Sequence, residues 1–452
     1  MKRRNFLRTS LAGGTFSQAG IQTVSAQQAG SADTSQETKR FDLLLKGGHV
    51  VDPSQSIHGI TDVAVSDGKI AAFEKNIDPK EAKQTLDFSG YYVTPGLIDI
   101  HVHIFYNLFV RPARSVIPDD HSFSSGVTTF VDAGTPGADN YADFLTLLDK
   151  DHSRTRTKVF AFINISKTGM DSGEQDPLKF DVQKAVETAQ RYPDTIVGFK
   201  TAHYWTSRDY DEVHTPWASV NNLIEAGNKA NLPVMIDFFP RPPQGNYPER
   251  SYRELILGKM RPGDIHTHCY ARHIPVLNEN GRVTSDIVQA QESGRIFDVG
   301  HGAGSFVFRN AVPAIEQGYI PNSISTDLHG ANTNGPVVNL INVMSKFLCL
   351  GLSLEDVIQR TTVNPARIIR HSELGTLKVG SAADIAVIKL TEGNFSYADT
   401  SAGKITGDKK LECFMTFLDG NIVYDPSGYS KPYWKDIPES SSYWKNPSEQ
   451  TW

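Results

Sequence analysis

The stretch Gly96-Leu97-Ile98-Asp99-Ile100-His101-Val102-His103 opens on a glycine, runs apolar and finishes on two histidines. In an extended strand the side-chain period of two puts Asp99, His101 and His103 on one face and the aliphatic residues on the other. Two imidazoles at the end of a buried strand make half of a metal site. Taken alone, a His-x-His pair reads more readily as hydrogen-bonded strand histidines, and the surrounding pattern shifts the reading toward a metal site. Working outward, further apolar strand candidates fall near 127–132, 158–164, 195–200, 232–238, 264–269, 295–301 and 322–327. With 97–103 they number eight, separated by stretches with room for helices, the pattern of repeated βα units. Residues 96–370 are close to the typical length of about 250 residues for a closed parallel barrel. The fold class expected is therefore α/β, a (β/α)8 TIM barrel. Several strand candidates end on polar groups: His101, His103, Asp132, Asn164, Lys200, Asp237, His268, His301 and Asp327. The carboxyl ends of the strands are where such barrels keep their active sites.

Short alternating strands flank this segment. Phe41 to Asp52 and the Asp67-Gly68 turn lie on one side; Gly380 to Ile388 and Phe414 to Tyr424 lie on the other. Two or three strands are marginal alone, so the two ends are expected to pair into one small β-sandwich built from the N- and C-terminal segments. The organisation expected is a signal at 1–26, a linker at 27–40, an N-terminal sandwich segment at 41–95, the barrel at 96–370, a C-terminal sandwich segment at 371–425, and an aromatic tail at 426–452. That tail, with Tyr433, Trp434, Tyr443, Trp444 and Trp452, could lie across the barrel or cover a subunit interface.

Composition narrows the function. The 452 residues are 39% hydrophobic and 21% charged, ordinary for a globular chain, and the net charge of −6 offers no basic face for nucleic acid. The three cysteines, Cys269, Cys349 and Cys413, are too scattered for a disulfide framework or a structural zinc site. Lys2-Arg3-Arg4-Asn5-Phe6-Leu7-Arg8 precedes a Gly/Ala/Ser-rich stretch ending in Val24-Ser25-Ala26. This resembles a twin-arginine export signal and predicts a periplasmic enzyme; the plainer reading is a basic tail. No other segment reaches the ~20 continuous apolar residues of a membrane span. Oligomeric state is unreadable, although homo-oligomers are common.

Val93-Thr94-Pro95-Gly96-Leu97-Ile98-Asp99-Ile100-His101-Val102-His103 is similar to the opening metal motif of the amidohydrolase superfamily. Gly126 to Gly134, Val197-Gly198-Phe199-Lys200, Gly263 to Cys269 and Phe297 to Phe306 resemble its dihydroorotase-like deacetylase branch. The resemblance spans about residues 41–425. It implies two divalent ions, zinc (Zn2+) first, with one ion, Mn2+ or Fe2+ left open. His101, His103 and Asp327 would hold one ion, residues of strands five and six the other, and a carboxylated Lys200 would bridge them. An ammonium cannot ligate a cation, but burial lowers a lysine's pKa and its neutral amine can take up carbon dioxide as a carbamate. The alternative is a salt-bridged strand lysine. His268 is the expected strand-six ligand and His266 the runner-up, with Cys269 pointing outward into packing. Asp237 departs from the pattern, which places a histidine at the end of strand five. A carboxylate can bind zinc or a harder ion there, or the second ion is weak or absent.

The resemblance also implies the chemistry: water activated by the metal attacks an acyl carbon, with Asp327 as general base and then general acid. His301, in the Gly-rich turn after strand seven, is the candidate to hydrogen-bond substrate or a developing oxyanion. Arg111, Arg114, Arg241 and Arg309 are candidate carboxylate clamps, each with a solvent-exposed alternative. The function expected is deacylation of a small acylated acid, such as an N-acyl amino acid or an acylated 2-hydroxy acid. Ring-opening of a cyclic amide, as in dihydroorotase or hydantoinase, comes next, then a deaminase. A non-catalytic exported relic with a degraded metal site is the reading from a different class. No His-Glu-x-x-His helix, phosphate loop or Gly-x-Ser-x-Gly elbow occurs.

Overall fold

The computed structural model describes residues 39–105, 115–148, 155–202 and 204–438. The signal, nearly all of the linker, and Arg111 and Arg114 lie outside them, as do Tyr443, Trp444 and Trp452. Seven parallel strands follow one another in chain order: Leu97–Val102, Val127–Gly137, Lys158–Asn164, Ile196–Thr201, Val234–Ile236, Ile265–His266 and Ile296–Phe297. The eighth place is taken by irregular chain that bridges both edges, Ser323 to Asp298 and Leu328 to Val102. The amide of His103 donates to Leu328 O (2.9 Å) and that of His301 to Ser325 O (3.2 Å). The sheet therefore closes into the (β/α)8 barrel.

Such strands are covered on both faces, which is why they read as continuous apolar runs. Ile98, Ile100, Val131, Ala133, Phe162, Val197, Met235 and Ile265, drawn from six successive strands, form one cluster that fills the barrel. Leu97, Val127, Phe199 and Phe297 join the larger core shared with the surrounding helices. Among those helices, Val182–Arg191 is capped by Asp181, which accepts from Lys184 N at 2.9 Å, and buries Ala185, Val186 and Ala189.

One expectation about the first strand needs correcting. All six residues of Leu97–Val102 are buried, and the pairing with the next strand shifts register between Asp99 and Val102. Asp99 does not share a face with the two histidines. Its carboxylate accepts from Thr326 Oγ1 (2.5 Å), Thr326 N (3.1 Å) and His101 N (3.3 Å), tying strand one to the eighth segment. Simple alternation fails because the register shift moves Val102 out of the interior set to which Ile98 and Ile100 belong.

The sandwich is drawn from both ends of the chain. A four-stranded sheet holds Phe41–Lys46, Asp62–Ser66, Lys69–Glu74 and Ala82–Asp87. In the second sheet, of six strands, Ile385–Ala398 pairs antiparallel with Tyr92–Pro95, Ile385 opposite Pro95. Leu43, Leu45, Val63, Val93, Ile385, Val387 and Phe417 close the space between the sheets. Lys158, at the start of barrel strand three, reaches Asp384 (2.7 Å) and Asp419 (3.0 Å) of the sandwich.

The hairpin of Ile385–Ala398 and Lys404–Leu418 is longer than the sandwich needs. Its far half packs on the helix Leu340–Cys349, with Leu411 N donating to Ser345 Oγ at 2.9 Å. Of the described tail residues, Tyr429 and Ser430 meet the sandwich. Tyr429 packs its ring against Phe414 and Phe88 and donates to Asp87 O, while Tyr433 and Trp434 are exposed. Apolar rings already present at the sandwich edge give the chain a nearer place to bury an aromatic side chain than the barrel mouth.

Candidate active site

Three histidines at the carboxyl ends of the barrel strands have their Nδ1 atoms fixed. His101 Nδ1 donates to Thr267 Oγ1 (2.8 Å), and that hydroxyl donates to Asp298 Oδ2 (2.9 Å). His103 Nδ1 donates to Thr135 Oγ1 (2.8 Å), and His268 Nδ1 to Gly300 O (2.5 Å). A neutral imidazole with its proton on Nδ1 keeps the lone pair on Nε2, and a partner on the far nitrogen is how metal-binding histidines are oriented.

The Nε2 atoms turn toward two carboxylates. Asp327 Oδ1 stands 3.1 Å from His103 Nε2 and 3.6 Å from His101 Nε2; Asp237 Oδ2 stands 3.5 Å from His268 Nε2. One ligand atom each from His101, His268 and Asp327 fall within 4.8 Å of one another. His101 Nε2 is buried with no hydrogen-bond partner, an arrangement that is costly unless something else binds there. Nitrogen and carboxylate donors so grouped fit a divalent cation. Lys200, next to last in strand four, is buried. Its stem rests on Gly134, where a Cβ would come within 2.6 Å of Lys200 Cγ.

The backbone is shaped for this cluster. His268 (φ 58°) and Asp327 (φ 51°) are both left-handed, a conformation that non-glycine residues adopt mainly where the surroundings enforce it. Gly300 and Gly302 leave room: a Cβ on Gly300 would meet Thr267 Oγ1 at 2.3 Å and His268 Nδ1 at 2.8 Å, and one on Gly302 would meet Asp327 Oδ2 at 2.5 Å. Burial, followed by the charge of Lys200 and the neighbouring imidazoles, holds His101 well below the ordinary histidine range. Burial works to raise Asp327, but the hydrogen bond and charge of His103, with His268 and His329, outweigh it and leave this carboxyl below its usual value. The site thus holds His101 toward the neutral imidazole and Asp327 toward the carboxylate, the forms that ligate a metal.

A deacetylase of Enterococcus faecalis is 30% identical to this chain over 392 residues, covering 85% of the chain and 99% of that relative. The chain belongs to the amidohydrolase family. The Amidohydrolase family model itself matches residues 307–423. A solved adenine deaminase superposes with a TM-score of 0.73 at 29% identity, covering 85% of this chain and 100% of that one. For a solved dihydroorotase the values are 0.69 and 27%, with 85% and 99% covered. The protein is a metal-dependent amidohydrolase.

Other candidates fall outside the cluster of this amidohydrolase. His266 packs between Tyr252 and Phe297 and donates from Nδ1 to Thr267 O (2.8 Å), so His268 is the strand-six histidine that turns inward. Cys269 is buried in the outer core. His301 is buried beside the cluster rather than in it, stacked on Phe306; Nδ1 donates to Gly302 O (3.0 Å) and Nε2 accepts from Lys346 Nζ (2.8 Å). Arg241 lies over the Tyr210 ring and donates to Arg208 O (2.8 Å) and Trp205 O, while Arg309 is exposed.

The sequence reading missed Thr267, Asp298 and Thr135, which set the histidine orientations, and His329, whose ring lies 6.3 Å from that of His103 at the mouth. Thr267 had a signal, standing between two histidines on a strand. Asp298 had none, because it gathers hydroxyls from the segments on either side of it, Thr267 on one and Ser323 (2.6 Å) and Ser325 (2.7 Å) on the other.

Proposed function

We propose that this amidohydrolase removes the acyl group from a small acylated acid by hydrolysing an amide or ester, at a site that takes two divalent ions, zinc first. The observation that carries this is the meeting of His101, His103, His268 and Asp327, with Asp237 beside His268 and the buried Lys200 close enough for its charge to act on His101. His101, His103 and Asp327 would hold one ion; His268 and Asp237 would hold the other. The bound metal supplies Lewis acidity, polarising the acyl carbonyl and bringing a water's pKa toward neutrality. As an ammonium, Lys200 adds positive charge beside His101. As a carbamate, formed when its neutral amine adds carbon dioxide and loses a proton, it would offer one negative charge shared over two oxygens as a further metal ligand. Asp327, ionised and close to His103, takes the proton of the attacking water and delivers it to the leaving nitrogen or oxygen.

Deacylation is favoured because the relative matched over nearly its whole length is named a deacetylase. Ring-opening of a cyclic amide is the second reading, favoured by the likeness to a solved dihydroorotase, and would use the same groups. Metal-reconstituted protein assayed against N-acetyl amino acids, O-acetyl 2-hydroxy acids, dihydroorotate, hydantoin and adenine separates them. Acetate release is the expected result. Turnover of the cyclic amides alone, or ammonia from adenine alone, would replace the reading. Export through the twin-arginine pathway belongs to the proposal, since that route carries folded enzymes. Fractionation of cells expressing the parent and an Arg3→Lys, Arg4→Lys variant tests it: the variant is expected to stay in the cytoplasm.

A further inference from the structure

Lys346 lies on the helix Leu340–Cys349 and is fully buried, though nothing in the chemistry above uses it. Its Nζ meets three acceptors from three separate segments: His301 Nε2 (2.8 Å), Ala398 O (2.8 Å) and Pro336 O. An ammonium has three N–H groups and accepts nothing, so the match is complete and fixes His301 Nε2 as the acceptor. The imidazole proton is thereby placed on Nδ1, which donates to Gly302 O at 3.0 Å. Burying an ammonium is costly, and here burial pushes the amine down to about 7 against the opposing pull of Asp399. A group of the same length without charge would fill the space more cheaply.

The acceptors show what is joined. Ala398 ends the first strand of the long sandwich hairpin, and the tip beyond it is fastened to the loop after barrel strand seven. Asp399 accepts from Phe308 N (3.0 Å), and Thr400 N donates to Phe306 O (3.0 Å). His301 opens that loop. The next residue, Gly302, donates from its amide to Thr326 O (2.9 Å) and rests directly against the Asp327 carboxylate.

We propose that Lys346 is a positioning residue: it clamps the His301–Phe306 loop to the sandwich hairpin, holding His301 in one tautomer and Gly302 in one pose against Asp327. The sandwich then helps to shape the active site through its hairpin.

Hydrogen exchange on the metal-loaded, full-length protein reads this link without any substrate, so it holds or fails independently of the hydrolytic reading. Two variants are compared with the parent. Lys346→Met removes all three donors. His301→Phe keeps the stack on Phe306 and leaves Lys346 its two carbonyls. Lys346→Met is expected to speed exchange in both 301–307 and 396–403, by about tenfold or more, and His301→Phe in 301–307 alone. Metal content is expected to be unchanged in both. On whichever substrate the parent hydrolyses, Lys346→Met is expected to lower kcat by about tenfold with KM within about twofold, the pattern of a lost transition-state contact. Exchange within about twofold of the parent in both segments would overturn the proposal, as would equal loosening of 41–46 in the sandwich core. If Lys346→Met does not fold, unchanged exchange in 301–307 of His301→Phe overturns it alone.

Discussion

The Thr267 hydroxyl decides which nitrogen His101 presents inward, because it accepts from Nδ1 while donating to Asp298. Thr267→Val is expected to lower metal affinity about 10- to 100-fold in competition with a chelator, with Thr267→Ser close to the parent. His266, two residues from His268, gives a pH prediction. Burial, opposed by Asp237, pushes its pKa from 6.5 down to about 4. Above about pH 6.5 the ring is neutral in both folded and unfolded chains. As pH falls toward 4 only the unfolded chain takes the proton, so stability is lost through that window. His266→Phe is expected to remove on the order of 3 kcal/mol of this acid-side loss, read from denaturant midpoints between pH 7 and 4. Among single residues, His101, His103, Lys200 and Asp327 were legible because each ends an apolar strand. Asp298 and Lys346 were not, because their partners lie 10 to 52 positions away in the chain.

At the level of elements, the turn after barrel strand seven does the most for the site with the least regular structure. Ile296–Phe297 is the whole strand, and from Gly300 onward the chain must pass close to two imidazoles and a carboxylate. Gly300→Ala is expected to destabilise the fold by about 1–3 kcal/mol and to reduce bound metal, since it adds a Cβ at φ +43° against Thr267 and His268. Thermal melts with elemental analysis check both effects; a surface control such as Gly304→Ala, where a Cβ would meet nothing, should change neither. Seven of the eight expected strands were readable from apolar runs, while the eighth, expected at 322–327, is irregular chain. The strand lengths were not readable: strands five to seven are only two or three residues long.

For the whole molecule, the sequence pattern foretold a barrel with a sandwich assembled from both chain ends, since neither end could bury a core alone. It did not foretell that the hairpin of Ile385–Ala398 and Lys404–Leu418 would reach back to the barrel mouth, as no local pattern encodes its docking on Ser345, Phe306 and Phe308. Among the described residues no helix is long and apolar enough to cross a membrane. The central claim is that Lys200 and Asp237 help to hold two ions beside the His101, His103 and Asp327 set. Elemental analysis of protein purified without chelators, with Lys200→Ala and Asp237→Ala alongside, tests it most directly. The account predicts about two ions per chain, falling in both variants. About one ion per chain, unmoved by either substitution, would contradict it.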